Sequence, residues 1–248
     1  MTKTHISWAT HSWNPVTGCT PVSEGCANCY ARAMAKRLQA AGNEAYRDGF
    51  AVTVHQDRLE EPLRWRKPRR VFVVSMGDLF HGDVPTQIMR HVWSVMISQA
   101  RHTFMVLTKR PERMLEFIAT QEGDVYRYWD HIWLGVTAEN QAHADERIPI
   151  LLETPAAHRF VSVEPMLSRV SLRRWFDRPN HPDWVICGGE SGPRRREMHE
   201  SWALDLRDQC LDYDVPFHFK QHSGPRPGWR PELFGELYRA VPPFEGEG

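Results

Sequence analysis

Short apolar runs recur along the chain from residue 71 onward, and each is followed by polar residues and then by a helical pattern. The runs occupy residues 71–75, 103–107, 132–136, 159–163, 184–187 and 216–219. Continuous apolar runs of this length are typical of strands that are buried on both faces. The helical segments follow at 86–100, 111–119, 141–152, 170–176 and 201–211. Strands that alternate with helices predict βαβ units and a parallel sheet.

Six or seven such units predict a complete or partial (β/α) barrel of six or seven parallel strands; an open doubly wound sheet is the alternative. The length of 248 residues suits a single domain over 1–248. Upstream of the first long run, the sequence predicts strands at 5–8 and 51–54 and helices at 27–41 and 58–65. The tail, residues 241–248, is predicted to be flexible.

A cysteine-rich segment, residues 17–30, precedes the regular part of the chain, and its glycines and proline predict a loop. Its cysteines follow a C-x6-C-x2-C pattern: Cys19, Cys26 and Cys29. The start of the predicted helix presents free N–H groups and a positive dipole end, which favour thiolates. Three soft ligands this close indicate an iron–sulfur cluster with one open iron, or structural zinc with a fourth ligand such as His11 or His81. Unrelated buried cysteines are the third interpretation.

Composition narrows the functional classes only partly. Lys and Arg together number 31, as do Asp and Glu, so the net charge is zero and bulk electrostatics does not indicate a nucleic-acid-binding protein. No apolar run approaches the length of a membrane span, so no membrane partner is expected. The N-terminal residues lack an apolar signal segment, so a cytosolic protein is expected. The five cysteines fit that reducing compartment. Cys187 and Cys210 are expected to be small buried residues.

The residues that follow the predicted strands are repeatedly polar. Ligands in both candidate architectures bind at the carboxyl ends of the strands. The polar residues there are Asp78, Lys109, Arg110, Glu139, Asn140, Glu164, Glu190, Ser191, Lys220 and Gln221. Loop ends are polar in most proteins, so the repetition across strands is what indicates a site. Residues 194–196, three arginines, are either a solvated loop or a basic patch suited to a phosphate-bearing substrate.

Several segments together resemble one known family, the phage-associated three-cysteine-motif family found in phages and bacteria. They are WNPVTGC (13–19), GCANCY (25–30), SMGDLF (75–80), LTKRP (107–111), LGVTAEN (134–140), SVEP (162–165) and GGESG (188–192). That family is similar to a divergent branch of the radical S-adenosylmethionine (SAM) superfamily. The usual superfamily motif is C-x3-C-x2-C, so the first gap is longer here, and Asn28 replaces the usual aromatic residue before the last cysteine.

The resemblance implies that the three cysteines bind three irons of a [4Fe-4S] cluster and that SAM chelates the fourth. The reduced cluster would split SAM into methionine and a 5′-deoxyadenosyl radical, and an external electron donor would supply the electron. The implied cofactor-binding residues are Tyr30, Ser75, Gly77, Asp78, Thr108, Lys109, Glu139, Gly188 and Gly189. The candidate catalytic residues are Glu164, Glu190, Ser191 and Lys220.

The expected function is therefore that of a radical SAM enzyme acting on DNA, RNA, a nucleotide or a related phosphate-bearing substrate. The alternative is a non-catalytic zinc- or cluster-binding module that binds nucleic acid or a protein partner. A third hypothesis is a hydrolytic barrel enzyme that uses Glu164 and Glu190 as an acid/base pair.

Overall fold

The structure, a computed structural model, describes residues 2–4, 6–121 and 129–242, and the strands below are those of this part of the chain. In chain order they are β1 (Thr2–Lys3), β2 (His11–Trp13), β3 (Val16–Thr17), β4 (Thr53–Val54), β5 (Arg70–Val73), β6 (Thr103–Thr108), β7 (Ile132–Thr137), β8 (His158–Val163), β9 (Trp184–Gly188) and β10 (Phe217–Gln221). β3 and β4 pair with each other in a separate antiparallel sheet.

The main sheet contains the other strands in the order β1-β2-β5-β6-β7-β8-β9-β10. Strand β1 is antiparallel to β2, and the seven described strands from β2 onward are parallel to their neighbours. Because each new strand is added at the same edge, the sheet curls into an α/β partial barrel. This confirms the predicted partial barrel and excludes a doubly wound sheet, whose strand order reverses in the middle.

The described helices in the regular part of the chain lie within two residues of the predicted segments, except that the segment predicted at 170–176 is helical only from Arg173. In chain order, the described helices are α1 (Tyr30–Ala40), α2 (Thr86–Ser98), α3 (Pro111–Ala119), α4 (Gln141–Glu153), α5 (Arg173–Phe176) and α6 (Glu200–Asp212). Pro111 begins α3, where its missing N–H group costs nothing. Asn140 caps α4, since its side-chain oxygen accepts a hydrogen bond from the backbone N–H of His143 at 2.9 Å.

Two apolar layers cover the two faces of the sheet, because successive strand residues point to opposite sides. The larger layer contains buried residues of α2, α3, α4 and α6, such as Trp93 and Phe117, together with strand residues. The smaller layer contains Trp8, Ala9, Phe72, Met105, Trp133, Phe160, Trp184 and Ile186. The ring of Trp8 lies 4.7 Å from that of Phe72, so the N-terminal segment fills the inner face of the partial barrel.

Several predicted elements upstream of β5 are wrong or displaced. The strand predicted at 5–8 is wrong for its described residues, 6–8, which pack on the inner face of the sheet. The strand that pairs with β5 is β2, which begins at His11. The predicted helix at 27–41 begins only at Tyr30, because residues 24–26 form a 3₁₀ turn. The predicted helix at 58–65 is replaced by two 3₁₀ turns, consistent with Pro62 in its middle.

The C-terminal part of the chain returns to the inner apolar layer, where Val241 packs. Residues 243–248 lie outside the described part of the structure, so the predicted flexible tail stays a prediction for them. Strand β10 continues through Lys220 and Gln221, which the sequence places after the last strand. Within the described residues, no helix is both long enough and apolar enough to cross a membrane.

Candidate functional site

The cysteine loop, residues 17–30, crosses the carboxyl ends of the parallel strands. Gly18 forms a bridge with Gly77, the glycine that follows β5, and its backbone N–H donates to the oxygen of Met76 at 2.9 Å. Gly18 has a φ of +89°, and a Cβ atom placed on it would lie 2.1 Å from the oxygen of Ala51. Only glycine fits this approach, so the loop meets the sheet through backbone contacts. Gly77 therefore supports the loop directly.

Two consecutive cations at the end of β6 each reach one cysteine. The ammonium of Lys109 lies 3.7 Å from Sγ of Cys26. A guanidinium nitrogen of Arg110 lies 3.4 Å from Sγ of Cys19, and the second terminal nitrogen donates to the oxygen of Thr20 at 3.0 Å. Positive charge beside a sulfur favours the thiolate, which is the form that binds metal.

Asp78 holds the guanidinium of Arg110 and the backbone of Lys109 in place. Its carboxylate accepts hydrogen bonds from Oγ1 of Thr108 at 2.8 Å, from Arg110 at 2.9 Å, and from the backbone N–H groups of Phe80 and Lys109. These donors occupy the roughly four acceptor positions of a carboxylate. Asp78, predicted to bind the amino group of SAM, and Thr108 therefore form the support of Arg110.

Glu139, at the end of β7, is a second buried anchor. It has no exposed surface and forms ion pairs with Lys109 and with Arg147, the latter at 2.9 Å. The hydroxyl of Ser23 in the cysteine loop donates to it as well. Burial by itself raises the pKa of Glu139, but the charges of Lys109 and Arg147 outweigh it, so the pKa lies below its usual value.

Gly25 allows the loop to sit directly on this carboxylate. A Cβ atom placed on Gly25 would lie 2.5 Å from Oε1 of Glu139. The amide of Asn140 also donates to the side chain of Glu24 beside it. The end of β7 therefore carries the 3₁₀ turn that contains Cys26.

Glu190, which follows β9, anchors the part of the loop between Cys26 and Cys29. Its carboxylate accepts from the amide of Asn28 at 2.9 Å and from the guanidinium of Arg196 at 2.6 Å. Burial raises the pKa of Glu190, but the hydrogen bonds from Arg196 and Asn28 lower it by more, so the net shift is downward. This predicted catalytic residue is thus engaged by protein partners.

The last cysteine is tied to the turn after β5. Cys29 occupies the N-cap position of α1, and the hydroxyl of the next residue, Tyr30, donates to the oxygen of Ser75 at 2.5 Å. The side chain of Ser75 in turn donates to Oδ1 of Asn14 at 3.2 Å. Tyr30 and Ser75, both predicted near the cofactor, fix the start of the helix behind the third thiol.

The thiols of the loop differ from the other cysteines in burial, and that of Cys26 differs in acidity as well. Cys19, Cys26 and Cys29 are partly exposed, whereas Cys187 and Cys210 are buried, as expected. Burial raises the pKa of Cys187 well above its usual value. Burial also raises the pKa of Cys26, but the charge of Lys109 and hydrogen bonds from Val22 and Ser23 lower it by more, so the pKa lies below the usual value. The pKa of Cys19 is raised by burial and by Asp78.

Glu164 and Lys220 form a separate pair at the ends of β8 and β10. Oε1 of Glu164 lies 3.1 Å from the ammonium of Lys220, and Ser162 donates to the other oxygen at 3.4 Å. The pairing of β10 with β9 is irregular between Phe219 and Gln221, so Lys220 sits at a bulge that re-aims its side chain. With so few donors on it, the carboxylate retains acceptor positions for a ligand.

The glycines at the end of β9 lie against protein atoms. A Cβ atom on Gly188 would lie 2.7 Å from Oε1 of Glu164, and one on Gly189 would lie 2.3 Å from the backbone nitrogen of Ser223. Ser191 forms a bridge with Gly224. Gly189 and Ser191 thus join two neighbouring loops, and Gly188 opens space beside the Glu164–Lys220 pair.

The profile of one protein family matches residues 3–232, which include the cysteine loop and every described parallel strand. The chain belongs to this family. Its description is "Protein of unknown function (DUF5131)". No curated protein and no solved structure shows significant similarity to the chain.

Sequence reasoning missed Arg147, Asn28 and Ser23 as members of this site, and it placed Arg196 in a basic patch without its partner Glu190. Arg147 carried a usable signal, since it lies between Ala144, Ile148 and Leu151 on the buried face of α4. An arginine on such a face needs an anionic partner. Asn28 and Ser23 carried no such signal, because their partners lie over 100 residues away.

Among the residues that the structure describes, no three His, Cys, Asp or Glu side chains are arranged to hold one metal ion.

Proposed function

We propose that this protein is an iron–sulfur enzyme of the radical SAM type that acts on a nucleic acid, a nucleotide or a related phosphate-bearing substrate. One observation carries the proposal: a single loop with three thiols is fastened to the ends of β5, β6, β7 and β9 of a parallel partial barrel. The carboxyl rim is where such folds bind ligands. The resemblance to the phage-associated three-cysteine-motif family supports the same assignment.

The residues present fit a cluster with three protein ligands. Cys19, Cys26 and Cys29 are partly exposed free thiols, and Lys109 and Arg110 bring positive charge within 3.7 Å of two of them. Thiolates hold such clusters, and nearby cations offset the negative charge that they bring. These three cysteines would therefore hold a [4Fe-4S] cluster that keeps one iron free of protein ligands.

When bound and reduced, such a cluster supplies the electron that splits SAM into methionine and a 5′-deoxyadenosyl radical. The protein residues divide into two groups around it. Asp78, Glu139 and Glu190 are occupied by protein donors and position the loop. Glu164 and Lys220 pair with each other at 3.1 Å and retain hydrogen-bonding capacity, with which they would contact the ligand or substrate.

Anaerobic purification, followed by iron and sulfide analysis, tests the proposal. We expect iron and sulfide in the wild-type protein and in Cys210→Ala, which removes a buried thiol outside the loop. Loss of both in Cys19→Ser, Cys26→Ser and Cys29→Ser would identify the ligands. Normal iron in any of these three variants contradicts the assignment.

EPR spectroscopy of the dithionite-reduced protein, with and without SAM, tests the open iron. A [4Fe-4S] signal that changes when SAM is added supports the enzyme. Zinc without sulfide, or a cluster signal indifferent to SAM, favours the alternative of a non-catalytic zinc- or cluster-binding module.

A further inference from the structure

Two loops beside the cysteine loop carry arginines at the surface. The first, 191–199, follows β9, and the second, 222–232, follows β10. Backbone hydrogen bonds join them: the N–H of Gly192 donates to the oxygen of Gly224 at 2.9 Å, and the N–H of Gly224 donates to the oxygen of Glu190 at 3.1 Å. The two loops therefore form one continuous surface.

This surface is positively charged although the chain as a whole is neutral. We call its exposed side chains the arginine–tryptophan patch: Arg194, Arg195, Arg226, Trp229 and Arg230. Arg196 is neutralised by Glu190. The remaining four arginines outnumber the two exposed carboxylates of these loops, Glu197 and Glu232. A local positive excess is the electrostatic footprint of a polyanion-binding surface.

The arginines of the patch differ from three other exposed arginines of the protein, which have carboxylate partners. Arg169, Arg173 and Arg174 each form an ion pair with an aspartate at 2.7–2.8 Å. Within the described part of the chain, none of the four patch arginines is within ion-pair distance of a carboxylate. Four guanidinium groups without carboxylate partners suit phosphates, which they bind in the same bidentate manner.

Trp229 adds an aromatic face among these charges. The indole is 37% exposed and packs against Gly224, where a Cβ atom would lie 2.2 Å from its Cγ. The guanidinium carbon of Arg226 lies 6.0 Å from the ring centroid. A partly exposed tryptophan provides a stacking surface for an unpaired base, and the arginines around it provide contacts for the phosphates.

The loop that carries Trp229 is held in place before any ligand binds. The N–H of Gly228 donates to Oε1 of Gln221 at 2.6 Å, and the N–H of His222 donates to the oxygen of Trp229 at 3.1 Å. Arg230 has a φ of +44°, a conformation that costs a non-glycine residue free energy. A pre-ordered loop loses less conformational entropy on binding.

The patch also adjoins the cysteine loop. The amide of Asn28 donates to the oxygen of Arg194 at 2.7 Å, and Arg196 donates to the oxygen of Glu24 at 3.0 Å. A strand bound on the patch therefore lies next to the loop between Cys26 and Cys29.

We propose that the arginine–tryptophan patch binds single-stranded nucleic acid, with an unpaired base stacked on Trp229 and phosphates on Arg194, Arg195, Arg226 and Arg230. The inference deepens the proposed function by naming its substrate class, and it predicts binding whether or not a cluster is present. Duplexes keep their bases stacked inside the helix, so Trp229 favours single strands.

Fluorescence anisotropy with labelled single-stranded DNA and RNA of about 15 nucleotides tests the proposal. We expect Trp229→Ala to weaken binding by about 5- to 100-fold and Trp229→Phe to restore most of the affinity. Arg226→Ala with Arg230→Ala is expected to weaken binding as well. This double variant should also make the plot of log affinity against log salt concentration less steep, by about 0.7 for each phosphate that is no longer neutralised. Comparison of the two probes identifies whether single-stranded DNA or single-stranded RNA is preferred.

The matched control is Arg173→Ala with Arg174→Ala, which removes the same charge from paired surface positions and is expected to change the affinity less than about twofold. Far-UV circular dichroism checks that each variant folds. Equal losses of affinity in patch and control variants, or equal binding of duplex and heparin, would show nonspecific electrostatics and overturn the proposal. The triple cysteine-to-serine variant is expected to keep its affinity, so a failed cluster assignment does not affect this test.

Discussion

The rim of this partial barrel depends on buried carboxylates that are paired with cations. Glu139 has no exposed surface, yet it joins Lys109 at the end of β6, Arg147 of α4 and Ser23 of the cysteine loop. Taking an ion out of water costs several kcal/mol, and only good geometry with several donors offsets this cost. The charge of Glu139 therefore couples three elements that are distant in sequence.

We expect Glu139→Gln to lower the free energy of unfolding by about 3–5 kcal/mol at pH 7, because the buried Arg147 and the half-buried Lys109 both lose their partner. Urea denaturation measures this value. The folded-state pKa of Glu139 is lowered, so its contribution is complete above about pH 4.3, the usual glutamate value, and is lost as the pH falls through the folded-state pKa. The control is Glu153→Gln, which changes an exposed glutamate at the end of the same helix as Arg147. An unchanged pH dependence below pH 4.3 in Glu139→Gln would contradict this role.

At the scale of elements, the cysteine loop is positioned by strand ends and not by a helix of its own. Lys109 and Arg110 hold the first two cysteines, Glu139 lies under Gly25, and Glu190 holds Asn28. These anchors come from three different strands, so the spacing of the strands sets the spacing of the thiols. A rigid support of this kind is what a precise metal site requires.

We expect Gly25→Ala to disturb this seating, because its Cβ would lie 2.5 Å from Oε1 of Glu139. Overpacking of this kind typically costs about 1–3 kcal/mol. Thermal unfolding and iron content measure the effect on the fold and on the loop. Gly82→Ala is the matched control, since nothing lies within 4 Å of the position that its Cβ would occupy and its backbone is not left-handed. Identical melting and iron loading in the two variants would show that the close approach at Gly25 is unimportant.

At the scale of the whole molecule, the curled sheet needs a second apolar layer on its inner face. The N-terminal segment supplies it: Trp8 is 1% exposed and packs edge-on against Trp184 with ring centroids 6.3 Å apart. Ser7 forms a hydrogen bond of 2.8 Å with His218 of β10. The first residues therefore contact both the beginning and the end of the sheet, and the open barrel is stabilised across its width.

We expect Trp8→Ala to reduce the free energy of unfolding by about 3–5 kcal/mol, through lost burial and the cavity left behind. Leu211→Ala removes an exposed apolar side chain and is expected to change it by less than about 0.5 kcal/mol. Equilibrium denaturation followed by circular dichroism compares the two. Equal, small effects would mean that the inner layer contributes little to stability.

Much of this architecture follows from the sequence alone. Apolar runs such as 103–107 and 132–136 predict buried parallel strands, because backbone geometry and burial on both faces leave few other solutions. The C-x6-C-x2-C spacing and the polar residues after each strand locate the candidate site at one rim. The short strand at 11–13 was not predictable, because three residues carry too little periodicity and its position depends on pairing with β5.

The tertiary structure alone decided which polar residues are available. Asp78, Glu139, Glu164 and Glu190 look alike in sequence, each following a strand. Only the fold shows that three of them are filled by protein donors and that Glu164 retains capacity beside Lys220. Local periodicity determines where strands and helices form, whereas hydrogen-bond partners from distant segments are set by packing. That is why the chain's own pattern predicted the barrel and the rim, and only the packed molecule assigned a role to each carboxylate.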